Sequence, residues 1–273
     1  MLKMLPPSLL LLLLLFVWTS PLVQGLASSN NRRNKPLRKR RPQETLLIEE
    51  GLHKRGFPFV IGSDESGTGC IAGPIVTASC CITHLSSVVI PGVDDAKRLS
   101  KKQRNQIYQQ ILQNQSGIVW GVASRSNQVI DDVSLEQATK ECFQESIDRV
   151  MQQIITGQDA SKTNACMDDQ FYCITDGHKS PKILLHDKIS IPSRAWKGGD
   201  ETVYSVALAS IIARVHHESL LQEIVTPELR ADYQFDRHKG YATREHLQAL
   251  HTHGPSPIHR LSCKPVKDRL HNQ

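Results

Sequence analysis

Phe59-Val60-Ile61-Gly62-Ser63-Asp64-Glu65-Ser66-Gly67-Thr68-Gly69, continued by Ala72-Gly73-Pro74-Ile75-Val76, is the stretch on which the fold of this 273-residue chain turns. Phe57 to Ser63 and Ala72 to Ile82 are β-rich runs on either side of Gly67-Thr68-Gly69, so the pattern predicts two strands joined by a glycine-rich connection. Asp64 and Glu65 stand at the exit of the first strand. Neighbouring strand residues point to opposite faces, so the two acids share a site only where the strand ends or bends, and Gly67 and Gly69 are expected to supply that break. The glycine segment lacks the G-x-x-x-x-G-K-[ST] ending, which excludes a phosphate-cradling P-loop.

Working outward, Ile118 to Ala123 reads as a third strand, and Phe171 to Ile174 as a short one that ends at Asp176-Gly177. Ser134 to Ile155 has apolar residues at 135, 138, 142, 143, 147, 150, 151 and 154 behind a Ser134/Gln137 capping box, the spacing of an amphipathic helix. Val203 to Ile224 predicts a second helix, and Thr243 to His251 a third that Gly254-Pro255 stops. Strands first, then helices mixed with strands, predict α/β layers around a mixed sheet.

Composition narrows the class. With 39% apolar and 5% aromatic residues the chain is no collagen, no disulfide mini-protein and no mostly disordered polymer. The net charge of +6 is misleading, because residues 1 to 43 hold eight of the 33 basic residues and no acid, which leaves 25 against 27 for the remainder. Nucleic-acid binding must therefore rest on local patches. Leu9 to Trp18 is a ten-residue apolar run after Lys3, which reads as a secretory signal within residues 1–25 and is too short for a permanent membrane anchor. Residues 26–45 are basic, resembling either a transit segment or a disordered linker, and residues 46–273 form one catalytic-sized domain. That order suggests an organelle reached through the secretory pathway, otherwise an intracellular site. The seven cysteines (70, 80, 81, 142, 166, 173, 263) are odd in number and lack zinc spacing, which favours buried thiols and a reducing compartment.

Asp176 closes an apolar strand before a glycine, and Asp200 follows Lys197-Gly198-Gly199 into a helix, where it could also serve as a simple cap. Carboxylates at the ends of separate elements can converge into an oxygen-donor cluster that suits Mg²⁺ or Mn²⁺. The histidine pairs His216-His217 and His251-Thr252-His253 lack a third ligand and are expected on a helix surface or behind a site.

These blocks together resemble type 2 ribonucleases H (the ribonuclease HII family). The opening signature is Phe59 to Gly69 with Ala72 to Val76. Asp95-Ala96-Lys97-Arg98-Leu99-Ser100, Ile174-Thr175-Asp176-Gly177, Lys197-Gly198-Gly199-Asp200 with Ala209-Ser210-Ile211-Ile212-Ala213-Arg214, and His238-Lys239-Gly240-Tyr241-Ala242-Thr243 with His253-Gly254-Pro255 and His259-Arg260 follow in order. The resemblance implies a ribonuclease H-like fold: a mixed sheet of about five strands, flanking helices and a C-terminal helical extension. It implies an endonuclease that cuts the RNA strand of RNA/DNA hybrids, or ribonucleotide-containing DNA duplexes, by two-metal-ion in-line displacement that leaves 5′-phosphate ends. By analogy Asp64, Glu65, Asp176 and Asp200 would be catalytic and hold Mg²⁺ or Mn²⁺. Gly67, Thr68, Gly69, Lys97, Lys197 and Tyr241 would bind substrate, the glycine loop and Tyr241 reading the ribose. No obligate protein partner is implied.

Local charge agrees with a duplex ligand. Lys97, Arg98, Lys101, Lys102 and Arg104 lie within eight residues, and residues 237 to 269 carry seven Lys or Arg, a pattern that suits phosphate contacts as well as a solvated basic face. Three departures bear on specificity. Thr68 replaces the family's usual arginine, and together with Ser205-Val206 and the 209–214 block it resembles the type 3 enzymes. Lys197-Gly198-Gly199-Asp200 has one glycine more than usual, which is expected to shift Asp200. Glu218 stands where the family has Asp. Two alternatives to the type 2 reading are therefore a silent hybrid-binding module and a type 3-like nuclease without single-ribonucleotide junction specificity.

Overall fold

In the computed structural model, which describes residues 46–85, 89–114, 117–157, 167–178, 181–186 and 188–271, the run beginning at Phe59 becomes the central strand. β1 (Phe59–Ser66) and β2 (Ile75–Ile82) pair antiparallel, β3 (Ile118–Arg125) extends β2 antiparallel, and β4 (Phe171–Asp176) lies parallel to β1 on its other side. A two-stranded ribbon, β5 (Ile183–Leu185) and β6 (Ile189–Ile191), precedes β7 (Ser193–Trp196), which adds parallel to β4. The order is β3-β2-β1-β4-β7, the mixed five-stranded sheet expected. The expected strand from Ala72 starts only at Ile75, and β5, β6 and β7 are too short to announce themselves in the sequence. The leader, the basic segment 26–45 and Cys166 lie outside the described residues.

The helices are α1 (Leu47–His53), α2 (Lys101–Gln113), α3 (Asn127–Val133), α4 (Leu135–Gly157), α5 (Gly199–Thr202) and α6 (Tyr204–Ile224). The C-terminal extension adds α7 (Pro227–Tyr233), α8 (Phe235–His238), α9 (Arg244–His253) and α10 (Lys264–His271). Ile147, Val150, Met151 and Ile154 of α4 bury one face of the sheet against Ile61, Cys81, Phe171 and Cys173. Leu208, Ala209, Ile211 and Ile212 of α6, with Ile107 and Ile111 of α2, bury the other against Ala78, Cys80, Ile82 and Ile118. α6 touches the sheet at Gly62, where an added Cβ would stand 2.3 Å from the Val206 nitrogen, so no other residue permits this approach. The α6 N-terminus lacks a cap of its own; Glu49 of α1 supplies one, accepting from the Ser205 N–H and hydroxyl at 2.8 Å each. Only half of the expected capping box at α4 forms: Ser134 Oγ accepts from the Gln137 N–H (3.3 Å), but the Gln137 side chain turns outward to Glu141. The six cysteines among the described residues are unpaired, five of them buried.

The C-terminal extension packs on the β1–β2 connection. Fully buried Arg260 donates from Nη1 to the Cys70 carbonyl (2.8 Å), from Nε to that of Gly73 (2.9 Å) and from Nη2 to that of Pro74 (2.7 Å). Asp131 of α3 anchors the next residues by accepting from the Leu261 and Ser262 N–H groups, both at 2.8 Å. Beneath this sits a chain of buried histidines whose tautomers the network fixes. His259 Nδ1 accepts from the Ser256 N–H (2.9 Å), so its Nε2 donates to His246 Nε2 (3.1 Å), and His246 Nδ1 donates to the Tyr241 carbonyl (2.9 Å).

Burial, above all, pushes His246 down to about 4 and His259 down to about 3, so both are neutral in the fold. An unfolded histidine titrates near 6.5, so the unfolded chain binds more protons and stability falls as pH drops from about 6.5 towards 4. His246→Asn removes one such group. The unfolding free energy, measured by urea denaturation between pH 6 and 5, is then expected to fall about 1.4 kcal/mol per pH unit less steeply. An unchanged slope would contradict a neutral, buried His246.

Candidate active site

The three parallel strands deliver their C-terminal ends to one edge of the sheet, the position at which α/β folds place ligands. The β1–β4 register runs to Ser63↔Thr175, which makes Asp64 and Asp176 the next residues along two adjacent parallel strands. β7 ends at Trp196, and the turn at Lys197-Gly198 brings Asp200 back into α5. Contrary to expectation the strand does not break between the two acids: β1 continues to Ser66, with Glu65 paired to Thr77, and the chain turns at Gly67 (φ +101°). At Glu65 β1 has outrun its pairing with β4, so the strand is open on that side while β2 still pairs it on the other.

The acids feel one another. Asp64 is buried, and its carboxyl is held well above the usual range by burial, then by the charges of Glu65 and Asp176. A hydrogen bond from Ser210 of α6 and the Glu65 N–H, 2.8 Å from Asp64 Oδ1, oppose this only in part. Glu65 is pushed up to about 7 by burial and Asp176, against the pull of Lys97, with Asp200 adding to the rise. Asp176 Oδ1 accepts from the Gly199 N–H (2.7 Å), and Asp200 Oδ2 from Lys97 Nζ (3.3 Å). Partial burial lowers the Lys97 pKa, but Asp200, Asp95 and Asp64 outweigh it and hold the ammonium above its ordinary range.

The extra glycine does not turn Asp200 out of the cluster. Gly198 adopts a left-handed conformation (φ +69°), and this extra step carries the Gly199 nitrogen to Asp176 while Asp200 stays buried. All four acids are thus brought together. Lys197 is exposed beside them and makes no ion pair among the described residues.

The residues expected to bind substrate gather around the β1–β2 connection. Thr68 is half-buried and Gly69 exposed, and a Cβ on Gly69 would meet the Tyr241 ring at 3.4 Å. Tyr241 is docked by a β-bridge to Cys70, and the Ile71 N–H donates to the Gly240 carbonyl (2.9 Å). His217 lies buried behind Gly67, not on a helix surface, with both ring nitrogens unpartnered; burial, Arg214 and Arg260 push it down to about 3. Within the basic run 97–104, Arg104 is withdrawn from any phosphate contact and Arg98 is engaged by an acid. Arg104 is buried and bonded to the Ala96 carbonyl (3.1 Å), the Leu99 carbonyl (2.6 Å) and Glu218, and Arg98 pairs with Glu201 at 2.6 Å. Only Lys101 and Lys102 of the five face solvent without a side-chain partner. Arg260 is likewise withdrawn into the loop clamp. The sequence reading missed Arg214 and Ser210 as site residues; the spacing of Arg214 and Glu218, four apart on one helix, was the available signal.

A family model described as ribonuclease HII matches residues 61–266. The chain belongs to the ribonuclease HII family. The ribonuclease HII of Chlamydia pneumoniae is 34% identical over 226 residues, covering 81% of this chain and 91% of that protein. That of Halalkalibacterium halodurans is 32% identical over 252 residues, covering 90% and 84%. In fold, the chain resembles the ribonuclease H2 of Pyrococcus horikoshii OT3, with a TM-score of 0.57 at 18% identity over 78% of this chain and 98% of that one. It also resembles Bst-RNase HIII solved with Mn²⁺, with a TM-score of 0.52 at 18% identity over 78% and 70%. The donor chemistry here suits a divalent metal: an all-oxygen set carrying more negative charge than Lys97 neutralises. Among the described residues, no group of three or more His, Cys, Asp or Glu side chains stands close enough together to hold a metal ion as it is; Asp176 and Asp200 are tied to Gly199 and Lys97.

Crowded like charges cost stability when no metal offsets them, so a neutral substitute relieves the fold. In chelator, Asp64→Asn is expected to stabilise the ribonuclease HII chain by about 1 kcal/mol, read as a higher melting temperature at pH 7.5. A lower melting temperature would mean that the carboxylates are not in conflict.

Proposed function

We propose that the protein is an endonuclease that hydrolyses the RNA strand of RNA/DNA hybrids and incises DNA duplexes at embedded ribonucleotides, as in primer removal and ribonucleotide excision. The observation that carries this reading is the mutual charge of Asp64, Glu65, Asp176 and Asp200 at the ends of three parallel strands, the first of which runs into a glycine loop bridged to Tyr241. Asp64, Glu65, Asp176 and Asp200 would hold Mg²⁺ or Mn²⁺. Bound there, two such cations supply a nucleophile at neutral pH and charge for both oxygens of an in-line phosphoryl displacement.

The chain's own groups do the rest. The Gly199 N–H and Ser210 hold Asp176 and Asp64 in orientation, so that the acids meet their ligand without a costly search for conformation. Lys97, exposed and leaning on Asp200, places a positive charge where the phosphate enters. The backbone N–H groups of Gly67, Thr68 and Gly69 and the Tyr241 hydroxyl face the ribose, whose 2′-hydroxyl alone separates RNA from DNA at a given position. Products carry 5′-phosphate and 3′-hydroxyl ends.

Thr68 supports a second reading, a type 3-like enzyme that needs a continuous RNA tract, because the loop keeps its backbone donors but has no cationic side chain. Cleavage of two duplexes by the full-length chain with Mg²⁺ or Mn²⁺ separates the readings. Cutting at a single embedded ribonucleotide as well as along continuous RNA is expected. Cutting only the continuous RNA would establish the type 3-like reading, and cutting neither would leave a silent hybrid binder. Asp64→Asn is expected to lower turnover at least about 1,000-fold while hybrid affinity, read by fluorescence anisotropy, changes less than about threefold. Retained turnover would remove Asp64 from the catalytic set.

A further inference from the structure

Behind Tyr241 lies a buried ion network that the reaction as described does not use. Glu218 Oε1 accepts from Arg104 Nη2 (2.8 Å) and from Arg214 Nε (2.9 Å), and the Arg104 and Glu218 side chains are about nine-tenths buried. Arg214 then donates from Nη1 to the Tyr241 hydroxyl oxygen (2.7 Å), with its guanidinium carbon 5.3 Å from the centre of the same ring. At the far end, Arg104 grips the carbonyls of Ala96 and Leu99, the two residues of the turn that flank Lys97 and Arg98.

We propose that Arg104, Glu218 and Arg214 form a positioning relay that fixes the Tyr241 hydroxyl as a hydrogen-bond donor towards the ribose and braces the Lys97 turn on the acidic side. The inference rests on the ribonuclease reading above. A phenol oxygen that accepts from a guanidinium has its own hydrogen left to give. With Arg214 behind it, that hydrogen points away from the protein body, towards an acceptor oxygen of the ligand. Two guanidiniums on one carboxylate leave one net positive charge behind the ring, which strengthens the donor in a low-dielectric setting. Arg214 is planar and bidentate in effect, with one nitrogen on Glu218 and another on Tyr241, so a lysine in its place keeps the charge and loses the fork. Glu218 has the reach to serve both arginines from the middle of α6. Its difference from the family's Asp is therefore part of the relay.

The test is a double-mutant cycle on binding, carried out in the full-length Asp64→Asn chain so that no cleavage intervenes. Affinities for an RNA/DNA hybrid and for an all-DNA duplex of the same sequence are measured by anisotropy for Arg214→Lys, Tyr241→Phe and the two combined. Each single change is expected to weaken hybrid binding about tenfold, the scale of one hydrogen bond to a charged or polarised group. The combination is expected to be no more than about twofold weaker than the weaker single variant, and DNA binding to show no such coupling. Losses that multiply to about a hundredfold on the hybrid would overturn the proposal, since Arg214 would then act apart from the hydroxyl. Equal coupling on DNA would overturn the assignment to the ribose. If Arg214→Lys does not fold, as judged by its melting curve, Glu218→Gln takes its place in the cycle with the same expectation, and Glu218→Asp, too short to serve both arginines, is expected to weaken hybrid binding in the same way. Lack of cleavage by the unaltered chain would defeat the ribonuclease reading but not this binding readout.

Discussion

The constraint on which this structure turns is the burial of like charges. Two β-strands that leave the core side by side carry Asp64 and Asp176 to the same place, and Glu65 and Asp200 join them. Nothing in the hydrophobic core favours that arrangement; burial raises the cost of each charge, and every neighbour raises it further. Much of the surrounding detail answers this cost. Lys97 reaches Asp200 from the surface, the Gly199 nitrogen is turned inward, and α6 contributes Ser210. Lys97 leaves a residual excess of negative charge among these acids, the electrostatic condition that a divalent cation would relieve.

The second half of the site is stabilised by opposite means. The β1–β2 connection has no carboxylates to balance and must hold exposed backbone in a fixed shape. Arg260 satisfies three of its carbonyls at once, and the histidine chain fixes the Tyr241 carbonyl from below. The C-terminal extension therefore sets the shape of the β1–β2 connection, which it clamps through Arg260 and joins through the bridge from Tyr241 to Cys70.

The sequence made the acidic half legible and the basic half misleading, for a physical reason. A strand followed by an acid and then a glycine is a local pattern, and it located Asp64, Asp176 and the turn before Asp200 without knowledge of partners. What an arginine does depends on what lies opposite it, which can be more than a hundred residues away: Arg104 meets Glu218, and Arg260 meets the carbonyl of Cys70. Both looked like phosphate contacts because an unpaired charge and a buried, paired one share the same letter. Ser193–Trp196 was hidden for another reason, since four residues give no periodicity to read, and the expected break at Asp64-Glu65 overlooked that β1 stays paired to β2 there after it has outrun β4.

The Arg260 clamp spans a sequence separation of 186 to 190 residues. Contacts between such distant points form late, because the entropy of closing so long a loop must be met by structure already in place. The strands that carry Asp64 and Asp176, by contrast, belong to the core that would gather first. During synthesis residue 260 leaves the ribosome after all four carboxylates, so the clamp on the β1–β2 connection closes onto strands that have already emerged.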